Sequence, residues 1–348
     1  MNDDNNFIKG RGAQFNPHNR FQKDKVELDS IENPGTQYIY SHPKTIVNKV
    51  ESPDIYASYS MNPYQGCEHG CIYCYARNSH EYWGYSAGQD FESKIIIKKN
   101  APQLLEEFLN KKNYQPATIM LSGNTDCYQP VERKMKITRS LLEVLVKYRH
   151  PVGMITKNAL VLRDIDLLKE LAANDLVHVT ISLTTLSEEL RRQMEPRASS
   201  FHNRLKIVSD LSKEGIPVGI LIGPVIPSLN SYEIPEILRE AAEAGAHYAG
   251  MVPVRLQGAI APIFEDWITK SFPDRAQKVL NQIKDMHDGE YSSSRYQQRK
   301  KGNGKLAEQL FALFKVSHQK YFAGRESHKL RTDLFRVPGK GGQLSMEF

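Results

Sequence analysis

Across 348 residues the chain carries 46 Lys plus Arg against 40 Asp plus Glu, a formal charge of +6, and 40% of it is hydrophobic. Such a chain buries one large α/β core with appendages; it shows no run of about 18 apolar residues to cross a bilayer, no apolar secretory stretch in MNDDNNFIKGRG, and, with four cysteines, no disulfide framework. A cytoplasmic monomer with reduced thiols is expected, and the modest positive charge suits a polyanionic partner without requiring one.

Residues 1–34 are polar, rich in Asn, Asp and Lys, and read as a mobile or loosely wrapped arm with little regular structure; they make up most of an N-terminal extension over 1–50. From about residue 50, short apolar runs alternate with segments that repeat apolar residues every three or four positions, the pattern of βαβ units on a parallel sheet. The predicted strands are 57–62, 116–121, 151–156, 176–182, 217–222 and 247–254. Between them lie predicted helices at 102–111, 136–149, 164–173, 201–214 and 233–244; in the first, Leu104, Leu105, Phe108 and Leu109 form one apolar face. Right-handed crossovers curl these units into an α/β fold, a partial (β/α)6 barrel of the TIM type over 51–255, with its chemistry in the loops after the strand C-terminal ends. Beyond 255 the alternation stops. Helices at 274–287 and 305–322 make a C-terminal helical cap over 256–337, and PGKGGQLSMEF closes the chain as a flexible tail over 338–348.

After the first predicted strand, NPYQGCEHGCIYCYAR sets Cys67, Cys71 and Cys74 in a C-x-x-x-C-x-x-C spacing within one loop. Thiolates are soft ligands for zinc or iron–sulfur centres, and this spacing lets one loop wrap a compact cluster. A structural zinc site normally takes four protein ligands, which His69 or His80 would have to complete. Three cysteines alone leave one iron of a cubane open to an outside ligand. With Tyr73 just before the third cysteine, the segment resembles the signature of the radical S-adenosylmethionine (SAM) superfamily. The resemblance implies a [4Fe–4S] cluster on Cys67, Cys71 and Cys74, SAM on the open iron, and reductive cleavage of SAM to methionine and a 5′-deoxyadenosyl radical. Tyr73 is expected to pack beside the cluster and keep it dry.

The remaining strand ends extend the resemblance. LSGNTDCYQP follows the second strand where the superfamily binds the amino group of SAM; Ser122, Asn124 or Asp126 would accept its hydrogens, with an Asx-turn as the plain alternative. Thr156 and Lys157 close the third strand and Ser182 the fourth, with Glu195-Pro196-Arg197 shortly after, at places where the family contacts SAM ribose and carboxylate; Arg197 would pair with a carboxylate. Gly223, in LIGPVIPSLN after the fifth strand, matches the adenine-contacting segment, and Val252 and Val254 offer apolar contacts from the sixth. Cys127, in the loop facing the site, is a candidate hydrogen-atom donor or else a small buried hydrophobe.

Taken together, MNPYQGCEHGCIYCYAR, SGNTDCYQPVERKMKITRSLLEVL, ITKN, EPR and PVIPSLN resemble a bacterial group of radical SAM proteins related to the spore photoproduct lyase branch, which implies DNA lesion chemistry. The hydrogen-donating cysteine of that lyase falls near Gly123 here rather than on Cys127. Gln343, Leu344, Met346 and Phe348 resemble the short peptide with which bacterial repair proteins bind the DNA sliding clamp. Arg295, Tyr296, Arg299, Lys300, Lys301 and Lys305 offer phosphate contacts or a solvated loop. The expected partners are a DNA or RNA substrate, the clamp, and an electron donor such as flavodoxin or ferredoxin. Modification of a protein, tRNA or small molecule is the alternative within enzymes; a non-catalytic DNA-associated iron–sulfur protein is the alternative outside them.

Overall fold

The computed structural model describes residues 8–22, 35–52, 57–293, 295, 298–325 and 329–339. Its strands, in chain order, are β1 (Gln37–Ser41), β2 (Val47–Lys49), β3 (Tyr59–Met61), β4 (Tyr64–Gln65), β5 (Lys94–Lys98), β6 (Ile119–Leu121), β7 (Val152–Thr156), β8 (Val177–Leu183), β9 (Val218–Val225) and β10 (Tyr248–Pro253). The main sheet runs β10-β9-β8-β7-β6-β3-β2. Every neighbouring pair is parallel except β2 with β3. The sheet does not close, so the fold is the open, partial barrel expected. All six predicted strands fall in place as β3 and β6 to β10. Among the described residues, no helix is long and apolar enough to cross a membrane.

Two sequence patterns build the barrel. The strands read as nearly unbroken apolar runs because both faces are covered: VGILIGPV of β9 is buried at six of its eight positions. The crossover helices bury one stripe each, as when Ala101, Leu105 and Leu109 of helix Ala101–Leu109 turn inward at i, i+4 and i+8. Capping fixes their starts: Ser200 Oγ accepts from Asn203 N at 3.3 Å and Ser187 Oγ from Leu190 N at 3.2 Å. Parallel register sets Met61 beside Leu121, Leu121 beside Met154, Thr156 beside Ile181 and Ser182 beside Leu221, so the strand C-terminal ends share one rim.

Three features lie outside the predicted elements. A small sheet of order β1-β5-β4 forms around IIIK of β5; its partner strands are too short or too exposed to stand out in the sequence. Helix Ile260–Ser271 joins Pro273–Asp285 in a second core, in which Phe264, Trp267, Val279 and Ile283 share one cluster with Ile72 of the cysteine loop. This part of the cap therefore packs on the cysteine loop, whereas helix Gly304–Phe322 joins the main core. Finally, residues 8–22 hold no helix or strand, as expected, yet they are fixed by hydrogen bonds to segment 81–92 rather than loosely wrapped.

Candidate functional site

The cysteine loop leaves the C-terminal end of β3 and crosses the rim. Gly66 and Gly70, each directly before a cysteine, take positive φ of 78° and 67°; a Cβ on Gly66 would sit 2.8 Å from Lys94 O. These turns are what glycine permits. Gln129 brackets Cys67, its Oε1 accepting from Glu68 N at 3.0 Å and its Nε2 donating to Gly66 O at 3.0 Å. Ile72 N donates to Met194 O at 3.0 Å. Beneath the loop, the fully buried Arg77 donates to the carbonyls of Cys71 (3.0 Å), Gly70 (3.3 Å) and Gly88 (2.9 Å) and to Glu92 Oε1 at 2.5 Å.

Cys67 and Cys71 are buried, Cys74 is half-buried, and none is in a disulfide. Burial pushes all three thiols up, Cys71 to about 12 with the Glu195 carboxylate adding to the effect. A coordinating metal removes that penalty by taking the thiolate outright, and three soft donors within one loop suit a thiolate-bound cluster. The set does not fit a single zinc ion closed by histidine. His69 faces Asp126 through Nδ1 at 3.4 Å and Asn158 through Nε2 at 3.0 Å, His80 is packed against Tyr85 and Phe91, and among the described residues no group of three or more His, Cys, Asp or Glu, the three cysteines included, is placed to hold a single metal ion.

The rim residues converge on this loop. Asp126 Oδ1 accepts from Thr156 Oγ1 at 2.8 Å and Tyr128 N at 2.9 Å, and Oδ2 from Lys157 N at 2.9 Å. Burial alone would raise its pKa, but His69 and these donors bring it down to about 2. Lys157 Nζ donates to Ser182 Oγ at 2.9 Å and lies 5.9 Å from the Tyr73 ring centroid; its charge reaches Cys71 and Cys74. Gly223 O accepts from Thr184 Oγ1 at 3.1 Å and Ser182 Oγ at 3.5 Å, and its Cα has ordinary room for a methyl group. Asn124 Nδ2 donates to Ser79 Oγ at 3.0 Å. The Ser122 hydroxyl closes its own turn, donating to Thr125 O at 2.8 Å and accepting from Cys127 N at 3.1 Å. Asp126, Thr156, Lys157, Ser182 and Gly223 thus form one chain of contacts along the rim.

Four candidates lie apart from that chain: Ser122 and Asn124, bonded as described, and Arg197 and Cys127. Arg197 N donates to His69 O at 3.3 Å, while its guanidinium turns toward Gly10 of the N-terminal arm. Cys127 is wholly buried in the main core with Tyr64, Tyr128 and Leu141; burial and the neighbouring Asp126 and Glu132 push its thiol well above the ordinary value. Gln343, Leu344, Met346, Phe348 and Tyr296 fall outside the described residues.

The sequence marks Glu195 only as part of Glu195-Pro196-Arg197 and gives no sign that Arg204 is its partner. Glu195, fully buried, holds Arg204 and Tyr73 through its two oxygens and accepts from Thr184 Oγ1 at 2.7 Å. Burial would raise its pKa, yet Arg204 and Lys157 hold it at about 2. In Glu195-Pro196-Arg197 the acid, not the base, is turned inward. Its partner Arg204 sits in a helix, where only the helical period marks it as facing the core. Tyr73 packs against the second core and reaches this ion pair through its hydroxyl. Tyr75, 49% exposed, borders the mouth and donates to Gly123 O at 2.5 Å.

The fold and site define an open parallel α/β barrel with a three-thiol loop at the catalytic rim. Residues 61–241 match the radical SAM superfamily, and the chain belongs to it. Membership makes this a radical SAM enzyme, and it implies SAM and an iron–sulfur cluster. A protein of Mycobacterium tuberculosis (strain ATCC 25618 / H37Rv), named only as uncharacterised, is 29% identical over 234 residues, 66% of this chain and 69% of its own. An uncharacterised protein of Methanocaldococcus jannaschii is 31% identical over 190 residues, 55% of this chain and 68% of its own. The radical SAM Nalpha-GlyT isomerase of Pseudomonas phage M6 is 24% identical, over 64% of this chain and 44% of its own. A solved structure of spore photoproduct lyase complexed with dinucleoside spore photoproduct superposes with a TM-score of 0.62 at 15% identity, covering 82% of this chain and 80% of that one. At that identity the likeness is one of fold.

Proposed function

We propose that Cys67, Cys71 and Cys74 hold a [4Fe–4S] cluster with one open iron, that SAM binds there, and that the radical obtained acts on a nucleic-acid base. When bound, the cluster supplies the electron that splits SAM into methionine and the 5′-deoxyadenosyl radical. The observation that carries this reading is the meeting of three free thiols, two buried and one half-buried, with the Asp126–Lys157–Ser182 chain at the strand C-terminal rim. Lys157 supplies positive charge for the SAM carboxylate, and Ser182 and Thr156 hydrogen-bond its polar groups. Asp126 already serves four donors, about the capacity of a carboxylate, and so holds Thr156 and Lys157 in place. Gly223 presents backbone to the adenine. Tyr73, Glu195 and Arg204 back the site and exclude water, which the radical requires.

Nucleic acid as substrate is supported by the positive charge, by Lys300, Lys301 and Lys305, by the clamp-like tail at Gln343, Leu344, Met346 and Phe348, and by a fold shared with a lyase solved with a dinucleoside lesion. A base must leave its stack to reach a barrel rim. A flavodoxin or ferredoxin supplies the electron. The chemistry is tested with reduced, reconstituted protein and SAM: 5′-deoxyadenosine forms in the wild type and not in Cys71→Ala. The substrate is tested by deuterium transfer into 5′-deoxyadenosine from labelled damaged DNA and RNA oligonucleotides. Transfer only from a labelled peptide or small molecule would replace the nucleic-acid reading.

A further inference from the structure

The N-terminal arm runs along the back of the cysteine loop and is tied down by side-chain and backbone hydrogen bonds. Gly12 N and Ala13 N donate to the Glu92 carboxylate at 2.9 and 2.8 Å, and Arg11 Nη1 to Glu92 O at 2.7 Å. Asn16 exchanges two bonds with Asp90, at 3.0 and 3.3 Å. Pro17 O accepts from Ser86 Oγ at 2.7 Å, and Asn19 Nδ2 reaches Glu81 O at 2.9 Å and Tyr85 O at 3.0 Å. The backbones touch as well: a Cβ on Gly12 would lie 1.9 Å from Gly70 O, and one on Gly88 would lie 2.0 Å from Phe15 O.

Glu92 is the hub. It is fully buried, and besides the arm it holds Arg77, whose remaining bonds go to the carbonyls of Gly70, Cys71, Ala87 and Gly88. A push on the arm at Gly12 therefore passes by direct contact to Gly70, the residue before Cys71. We propose that residues Arg11–Asn19 are a positioning strap that keeps the three thiols in cluster-binding register, acting through Glu92 and Arg77; the inference rests on the cluster assignment above. Glu92 also balances the Arg77 charge beside Cys74. Removing that negative charge leaves a buried cation near the cluster and favours the reduced, more negative form, since net charge nearby sets cluster potential.

The test uses full-length protein, anaerobically reconstituted, with iron and sulfide counted and the cluster absorbance followed in the presence of an iron chelator. Gly12→Ala is expected to lose its cluster about tenfold faster than wild type, the scale on which groups behind metal ligands act, with unchanged far-UV circular dichroism; Asn19→Ala, at the far end, loses it only slightly faster. Where Gly12→Ala does not fold, Glu92→Gln decides: its cluster is less well retained and its midpoint potential is shifted positive. Wild-type retention in both variants with an unshifted potential overturns the strap. A folded wild type that takes up no iron and sulfide overturns the cluster assignment, and the strap with it.

Discussion

Asp126 offers a direct check on how the rim is held. Its carboxyl falls from the usual 3.8 to about 2 in the folded chain, a difference of roughly two units, and at ~1.36 kcal/mol per unit this contributes about 2.5 kcal/mol at neutral pH. Asn keeps the shape but offers one acceptor oxygen. Its NH2 must face either Tyr128 N–H with Thr156 or Lys157 N–H with His69. An unmet buried donor costs about 1–3 kcal/mol, so two routes give the same size of loss. Because the folded pKa is depressed, the contribution is complete above the unfolded value and is lost as pH falls through the folded one. Asp126→Asn should therefore unfold in urea with about 2–3 kcal/mol less stability than wild type from pH 5 to 8. The gap should narrow to about half by pH 3. Equal stabilities at pH 7, or a gap unchanged at pH 3, would refute the assignment of Asp126 as the charged centre of the rim.

Arg204→Ala leaves Glu195 buried without its cation and should cost about 3–5 kcal/mol, read as a lowered urea midpoint; a loss under about 1 kcal/mol would mean that Lys157 alone sustains the acid. Lys157→Met removes a charge-assisted bond of about 1.5–3 kcal/mol and should raise the KM for SAM in 5′-deoxyadenosine formation by roughly tenfold to a hundredfold, with the iron content unchanged. Gly219→Ala places a Cβ 2.3 Å from the Tyr248 ring and should destabilise by about 1–3 kcal/mol through overpacking, whereas SAM cleavage per bound cluster stays at the wild-type level.

The barrel was legible because its signals are periodic. Apolar runs such as VHVTISL and helix stripes such as Ala101, Leu105 and Leu109 repeat at the spacing that burial demands, so all six parallel strands fell where expected. The cysteines were legible for another reason, since only soft ligands at short spacing do their work. What stayed hidden depends on contacts between distant segments. Glu195 and Arg204 lie nine residues apart with no pattern to join them, and Arg197 drew notice because an exposed loop base looks available for a carboxylate. Ser122 looked like a ligand for the same reason; its φ of 71° and its bond to Thr125 O show a turn residue. The arm at 8–22 was misread most, because polar composition in a chain terminus signals solvation, whereas here Asn16 and Asn19 replace water on the carbonyls and carboxylates of segment 81–92.

That misreading bears on how the site works. A loop carrying three cluster ligands has little secondary structure to hold its shape, and this one is fixed from three directions: Gln129 and Met194 from the barrel, Gly12 through Glu92 from the arm, and the cap through Ile72 and through Asn78, which bonds Gln257 O at 2.7 Å. None of these anchors belongs to the apolar core of the barrel, so loosening one acts first on the thiols. Asn78→Ala, at a half-buried contact with the cap, should therefore separate two properties that core substitutions lower together: the global unfolding midpoint, which it leaves near wild type, and cluster retention, which it reduces. The reverse pattern, a lowered midpoint with a fully retained cluster, would mean that this contact serves the fold and that the cysteine loop keeps its register without it.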